Sequence, residues 1–248
     1  LANMTKILEM RDIRKSFGNV HALRGVDFSL DRGEITALLG DNGAGKSTLI
    51  KIISGLYAPT SGSVEINGER VKRFSVAHAR SLGDESVYQD RARCVSPPHS
   101  RNLFAGRHIK TRFALIDAKR EREAAAEIIS RLGLSGAGIS PDTPAASLSG
   151  GERQGLAIGR AMYFKASVVI LDEPTTALAV SEAEKVLDFM RLLKSEGRSV
   201  VVITHTIEHA HRVADRFVIL SHGRVFGEWR KDELSESGLF TRLMEAER

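Results

Sequence analysis

The stretch that decides the fold is ITALLGDNGAGKSTLIKIISGL, residues 35–56. Its first five residues, ITALL, are apolar except for Thr36 and are typical of a buried strand, and KSTLIKIIS has the apolar spacing of a helix. Between them, residues 40–47 match the pattern G-x-x-x-x-G-K-[S/T]. In this pattern the glycines let backbone N–H groups surround phosphates, Lys46 reaches the β and γ oxygens, and Ser47 ligates Mg²⁺. Strand, loop and helix together predict a phosphate-binding loop.

Strand patterns lie on both sides of this loop. Residues 7–36 alternate apolar and polar side chains, and the Asn67-Gly68 pair between alternating flanks predicts a β-hairpin. From residue 167 onward a buried strand, a helix and another buried strand follow one another. This order predicts a parallel sheet with right-handed crossovers. The fold class is therefore α/β, with a P-loop NTPase-type, mostly parallel core and an antiparallel β subdomain.

The boundaries of later elements are also predicted. Ser181 and Glu184 match a capping box at the start of the helix after VVIL, and Gly197 stands where a glycine ends a helix. RFVILSHGRVFGEW, residues 216–229, predicts a hairpin, and we expect a final helix from about residue 232.

Residues from 91 to about 155 interrupt the strand pattern. In DAKREREAAAEIISRLGL, Ile128, Ile129 and Leu132 fall on one side and the charges on the other, which predicts an amphipathic helix. We therefore expect a helical subdomain inserted at about 91–155 within a single domain over residues 4–248.

Positive charge is concentrated in this insertion. The formal net charge of the chain is +5, and residues 91–122 hold nine lysines and arginines against Asp117 and Glu121. Such a block is found on nucleic-acid-binding faces, on faces that meet anionic membranes and, most simply, on solvated surfaces. No uninterrupted apolar run exceeds four residues, so the sequence predicts no transmembrane helix. The single cysteine, Cys94, is typical of a reducing cytoplasm.

Two adjacent carboxylates follow a buried strand in VVILDEP, residues 168–174. Such a pair is costly to bury unless a cation or a proton transfer uses it. Ligands of open α/β sheets also gather at the carboxyl ends of strands. We therefore predict that Asp172 belongs to the Mg²⁺ shell and that Glu173 polarises the attacking water.

A second glycine-rich segment, AASLSGGERQGLAIGRAM at residues 145–162, leads into a predicted helix. The N–H groups and dipole of such a helix start suit an anion. Gln89 and His205 each follow a predicted strand, where a polar side chain either reaches a ligand or ends the strand. Phe17 either stacks on a base or belongs to the core.

The phosphate loop, Gln89, LSGGE, VVILDEP and His205, in this order, resemble the motifs of the ATP-binding subunits of ABC transporters. The resemblance extends from about residue 6 to 230. ALLGDNGAGKSTLIKIISG and VYQD are most similar to bacterial carbohydrate importers of the ribose and fructose type.

The resemblance implies a role for each motif residue. Glu173 is expected to be the catalytic base, His205 the γ-phosphate switch and Lys46 a stabiliser of the transferred charge. Ser47, Gln89 and Asp172 are expected to bind Mg²⁺, and Gln89 to link the metal to the transport partner. ATP is expected to contact Phe17, Gly40, Asp41, Asn42, Gly43, Ala44, Gly45, Lys46, Ser47, Thr48, Gln89 and, from the signature loop, Ser149, Gly150 and Gly151.

Two positions depart from the family pattern. Glu152 stands where the signature usually has Gln, and an acid near a γ-phosphate is unfavourable unless it points away. Ala179 stands where many relatives have an aspartate that bridges two subunits. Carbohydrate importers often lack that aspartate, so the departure bears on communication between subunits and leaves hydrolysis intact.

The resemblance implies an ATPase that drives import of a small sugar or polyol. Its expected partners are membrane-spanning permease subunits, a second ATP-binding subunit and, indirectly, a periplasmic binding protein, at the cytoplasmic face of the inner membrane. The alternatives are an exporter subunit and a nucleic-acid-linked ATPase of the same superfamily, which the basic block favours. The segment between Lys46 and Ser149 is too short for the long coiled coil of chromosome-type members, so we expect no nucleic acid partner.

Overall fold

Strands and helices alternate through most of the chain in the computed structural model, which describes residues 6–87 and 99–247. The strands are β1 Lys6–Phe17, β2 Val20–Asp31, β3 Ile35–Leu39, β4 Ser61–Ile66, β5 Glu69–Arg70, β6 Asp84–Val87, β7 Val168–Asp172, β8 Ser199–Ile203, β9 Arg216–Ser221 and β10 Arg224–Arg230. The helices are α1 Lys46–Ile53, α2 Val76–Ser81, α3 His99–Leu103, α4 Ala118–Arg131, α5 Gly150–Tyr163, α6 Val180–Ser195, α7 Ile207–Val213 and α8 Glu236–Ala246.

The chain forms two compact units. The first comprises residues 1–88, 166–174 and 190–248, and the second comprises residues 89–165 and 175–189. Among the described residues, no helix is long and apolar enough to span a bilayer.

The first unit contains a six-stranded sheet in the order β10-β9-β3-β8-β7-β6. The pairs from β9 to β6 are parallel, and β10 is antiparallel to β9. Every residue of β3 and β8 is buried, as continuous apolar runs require when both faces of a parallel strand are covered. The predicted parallel core is confirmed.

A separate antiparallel sheet in the first unit has the order β2-β1-β4-β5. Asn67 and Gly68 form the turn between β4 and β5 with φ angles of 54° and 79°, as the predicted hairpin requires. Leu49, Ile50 and Ile53 of α1 share one apolar cluster with the inner faces of both sheets. This cluster fixes the helix that follows the phosphate loop.

The described part of the second unit is mainly helical. The predicted amphipathic helix is α4, whose Ile128 and Ile129 are buried together with Leu132, just beyond its last turn. Gly159 of α5 lies against this face, because a Cβ added there would come within 2.8 Å of Leu132 Cδ1. The small residue lets α4 and α5 pack closely.

Two predicted helix starts are wrong, whereas a predicted helix end is confirmed. Helix α6 begins at Val180, so Ser181 lies inside its first turn and does not cap it with Glu184. The last helix begins at residue 236, because residues 231–233 form a short 3-10 turn first. Gly197 does end α6: its φ is 75° and its N–H donates to the Lys194 carbonyl over 2.8 Å.

Candidate functional site

The site is built at the carboxyl edge of β3, β8 and β7. Leu38 of β3 pairs in register with Ile203 of β8, which pairs with Asp172 of β7. The three following segments, which carry the phosphate loop, His205 and Glu173, therefore leave the sheet at one level. The topology alone brings together residues that are far apart in sequence.

Two glycines give the phosphate loop its path. Gly40 has a φ of 135°, and a Cβ there would collide with the carbonyl oxygen of Leu220. Gly45 has a φ of 106° and precedes the first residue of α1; its Cβ would lie 2.8 Å from the Ala22 carbonyl oxygen. Neither space nor backbone geometry admits a larger residue at these positions.

The rest of the loop is accessible to solvent except at Ala44. Asp41, Asn42 and Gly43 are exposed, while Ala44 is buried and its N–H donates to the Asp41 carbonyl over 3.1 Å. Ser47 is exposed and Thr48 half-buried in the first turn of α1. The first turn of a helix has backbone N–H groups without an intrahelical acceptor, and such groups suit phosphate oxygens.

Lys46 is buried within the loop that it follows. Its Nζ donates to the carbonyl oxygens of Gly40 over 2.5 Å and Asp41 over 2.9 Å. Burial lowers the pKa of the Lys46 ammonium, and the charges of Glu173, Asp41 and Asp172 offset part of that effect. The cation is thus held among carbonyls and carboxylates at the base of the loop.

Asp172 and Glu173 differ in their surroundings. Burial raises the pKa of Asp172, and the neighbouring negative charge of Glu173 raises it further. Glu173 has a φ of 49°, which is strained for a residue with a side chain, and its N–H donates to the Ile203 carbonyl over 2.9 Å. The Glu173 side chain is only 14% exposed, and its Oε1 lies 3.2 Å from Nε2 of the half-exposed His205.

The residues fit a magnesium ion. Asp172 is a half-buried carboxylate whose charge a cation would stabilise, and Ser47 offers a hydroxyl on the first turn of α1. Within residues 6–87 and 99–247 no cluster of three or more His, Cys, Asp or Glu side chains could hold a metal. Mg²⁺ usually combines one or two protein ligands with substrate phosphates and water, so Asp172 and Ser47 would suffice as protein ligands. Gln89, the third predicted ligand, lies outside the described residues.

Phe17 presents an open aromatic face. It ends β1 with 44% of its surface exposed, so it does not belong to the core. Its ring meets Tyr57 edge-on at 5.4 Å, and the Lys15 ammonium lies 5.0 Å from its centroid. This arrangement leaves Phe17 available for stacking and adds two neighbours that the sequence did not single out.

The signature loop, Ser149–Gly151, opens α5 in the second unit. Ser149 Oγ accepts a hydrogen bond from the Glu152 N–H over 3.2 Å, and the Glu152 carboxylate accepts one from the Ser149 N–H over 2.8 Å. Glu152, which stands where the family usually has Gln, therefore bonds to the backbone at the start of its own helix.

Glu182 is a residue near this loop that the sequence reasoning missed. Its carboxylate accepts the N–H of Ala179 over 3.2 Å and also receives hydrogen bonds from Ser149 and Gly151. These bonds, that from the Ser149 side chain first, hold the pKa of Glu182 below its ordinary value. The sequence does contain a signal for this residue. Glu182 follows Ala179 by three positions, which is the spacing of the glutamate in a capping box, but Ala179 is not the Ser or Thr that normally begins one.

Comparison with known proteins identifies the family. The sequence profile described as "ABC transporter" matches residues 23–176, which is more than half of the chain. The chain belongs to the ABC transporter family. This membership confirms the predicted resemblance and the prediction of an ATP hydrolase of the transporter type.

Two curated relatives cover nearly the whole chain. The xylose/arabinose import ATP-binding protein of Sulfolobus acidocaldarius is 44% identical over 93% of this chain and 90% of its own length. A ribose import ATP-binding protein of Rubrobacter xylanophilus is 39% identical over 97% of this chain. The chain spans only 48% of that ribose protein, about half of its length.

Solved ATP-binding cassettes share the fold. A nucleotide-free cassette from an ABC transporter superposes with a TM-score of 0.83 at 26% identity, over 97% of this chain and 96% of that one. A dimeric cassette bound to ADP and phosphate in a post-hydrolysis state gives a TM-score of 0.76 at 25% identity, over 90% and 98% of the two chains. The predicted P-loop NTPase-type fold is thereby confirmed.

Proposed function

We propose that this chain is the ATP-hydrolysing subunit of an importer for a small sugar of the pentose class. The observation that carries the proposal is the convergence of Lys46, Asp172, Glu173 and His205 at one edge of the sheet, on a fold shared with ATP-binding cassettes. The pentose class is suggested by the relatives, whose names specify xylose, arabinose and ribose.

The phosphate loop would hold the triphosphate of ATP. Backbone N–H groups of Gly43, Gly45 and the first turn of α1 would surround the β-phosphate, while the adenine would stack on the exposed ring of Phe17. The Lys46 ammonium already lies among the loop carbonyls and would exchange these partners for β and γ oxygens. The site thus provides a fixed positive charge where negative charge develops.

Glu173 would act as the general base for the attacking water. Its low exposure and its strained backbone hold the carboxylate in one orientation, with Nε2 of His205 3.2 Å from its Oε1. The exposed side of His205 would donate to the γ-phosphate. Ser47, Asp172 and Gln89 would hold Mg²⁺, which neutralises charge on the phosphate oxygens.

The partners follow from the same proposal. A second ATP-binding subunit, either a copy or a homologue, would close each site with its signature loop, as the dimeric arrangement of a related cassette suggests. The chain would bind membrane-spanning permease subunits at the cytoplasmic face of the inner membrane, and ATP hydrolysis would drive transport through them. A periplasmic binding protein would deliver the sugar to them.

The proposal is tested by purifying the chain with its membrane partners in mild detergent and measuring ATP hydrolysis. Addition of the binding protein loaded with xylose, arabinose or ribose should raise turnover, while DNA and RNA should not. The Glu173→Gln variant of the same complex should keep ATP binding and lose at least about 10²-fold in turnover, the usual contribution of a general base. Stimulation by nucleic acid in a preparation that contains no membrane subunit would favour the alternative ATPase class.

A further inference from the structure

Three hydrogen-bond donors converge on the carboxylate of Glu182. They are the Ser149 hydroxyl, the Gly151 N–H and the Ala179 N–H, the last at 3.2 Å from Oε2. Two of these donors belong to the signature loop, and only the third, the Ala179 N–H, belongs to the residue directly before α6. The acid therefore does more than cap its own helix.

The packing around Glu182 is close. A Cβ added to Gly151 would lie 2.9 Å from Glu182 Cβ, and one added to Gly150 would lie 4.0 Å from Glu182 Oε2. The absence of a side chain at Gly151 thus allows Glu182 of α6 to approach the start of α5. The carboxylate reaches the loop because no side chain stands between them.

A carboxylate and a phosphate oxygen use the same donors. Both are anions that accept hydrogen bonds from hydroxyls and from N–H groups at a helix start. The Ser149 and Gly151 groups that bond to Glu182 are those expected to hold the γ-phosphate of an ATP bound to a second chain. Only one anion can take them at a time.

We propose that Glu182 is an internal competitor of the γ-phosphate at the signature loop and thereby sets the ATP concentration at which two subunits close. This inference rests on the proposed function, in which the loop meets the nucleotide of another chain. The carboxylate holds the loop donors in place and must release Ser149 and Gly151 when the phosphate arrives. Ala179 contributes only its N–H to this arrangement, so the competing charge comes from Glu182.

The test is the replacement Glu182→Gln, which keeps an acceptor oxygen for the cap and removes the charge. Dimerisation is followed by sedimentation velocity against the concentration of a non-hydrolysable ATP analogue with Mg²⁺. Because charge-assisted hydrogen bonds are about twice as strong as neutral ones, we expect half-maximal dimerisation at roughly fivefold to tenfold lower analogue concentration. Analogue binding to the monomer should not change, since the phosphate loop is untouched.

The controls separate this inference from the proposed function. Glu123→Gln, the same charge change on an exposed position of α4, should dimerise like the parent chain. Thermal unfolding of Glu182→Gln and Glu182→Ala shows whether the cap is retained. If Ser149→Arg blocks dimerisation while Glu182→Gln needs the same or more analogue than the parent, the competitor role is wrong and the proposed function stands. If Ser149→Arg dimerises like the parent, the signature loop does not meet the nucleotide of another chain, and the competitor role fails together with the shared site of the proposed function.

Discussion

At some positions of the phosphate loop, backbone geometry restricts which residue type can be present, in addition to any requirement of the ligand. Gly40 follows a buried strand and turns the chain with a φ of 135°, directly beneath the carbonyl of Leu220 at the end of β9. Most side chains avoid positive φ, and here a Cβ would also meet backbone that cannot move without disturbing the sheet. A motif glycine therefore carries a structural constraint that exists even without nucleotide.

We expect Gly40→Ala to destabilise the chain by about 2–5 kcal/mol, the combined cost of a left-handed backbone and a steric clash. Thermal unfolding without nucleotide measures this, and for a chain of this size each kcal/mol lowers the Tm by about 2–4 °C. Gly33→Ala is the matched control, because Gly33 also has a positive φ, 67°, but open space where the Cβ would be. Equal shifts for the two variants would contradict a role for the Leu220 contact.

Between elements, a buried ion pair links the start of β3 to β9. The Arg216 guanidinium donates to both carboxylate oxygens of Glu34, at 2.9 and 3.0 Å, and to Oε2 of Glu228 at 2.9 Å. Burial by itself raises the pKa of Glu34, but the hydrogen bonds and charge of Arg216 outweigh it and leave that pKa below its ordinary value. Glu34 therefore stays ionised inside the fold.

Glu34→Gln should lower the free energy of unfolding by about 3–5 kcal/mol at neutral pH, because it removes the buried ionic partner of Arg216 and leaves only the exposed Glu228. Glu228 also pairs with this guanidinium, but its side chain is 62% exposed. Glu228→Gln should therefore lower the free energy of unfolding by only about 0–1 kcal/mol. Urea unfolding at a series of pH values measures both.

The stabilisation that Glu34 contributes should depend on pH with a defined sign. Since the folded-state pKa of Glu34 lies below its unfolded value near 4.5, its contribution is complete above that value and is lost as the pH falls through the folded-state pKa. The difference between the parent and Glu34→Gln should therefore shrink in acid. A constant difference from pH 7 down to pH 3 would show that the pair is not the cause.

At the scale of the whole molecule, the chain has two segments that are predicted to bind phosphate, the phosphate loop and the signature loop. In the proposed function the phosphate loop would surround one side of a nucleotide, and the signature loop is a separate helix start with its own donors. A two-fold axis between two chains would bring the signature loop of each to the nucleotide of the other, giving two identical composite sites.

This arrangement predicts recovery of activity when two inactive variants are mixed. Lys46→Ala should lack ATP binding, and Ser149→Arg should bind ATP as a monomer without forming the closed dimer. A mixed dimer has one site with both residues intact and one with both defects. Because neither variant forms the closed dimer by itself, an equal mixture rebuilds up to about half of the parent sites. ATPase assays of each variant and of the mixture measure the effect.

Dimer formation is measured alongside, because activity stays low if the two sites must act together. The Ser149→Arg variant alone should remain monomeric with ATP, and the mixture should form dimers. Normal ATP-dependent dimerisation of Ser149→Arg by itself would exclude the shared site.

The sequence by itself determined the parts of this protein that depend on local patterns. The apolar run of β3, the glycine spacing of residues 40–47 and the Asn67-Gly68 turn predict their own structures, since each depends on backbone preferences within a few residues. Tertiary structure decided the rest. The sequence placed the cap of α6 at Ser181, whereas Glu182 binds Ala179 and the signature loop, because the contact to α5 joins residues about thirty positions apart. The same holds for Glu34 and Arg216, whose pairing depends on the order of strands in the sheet and has no local signal.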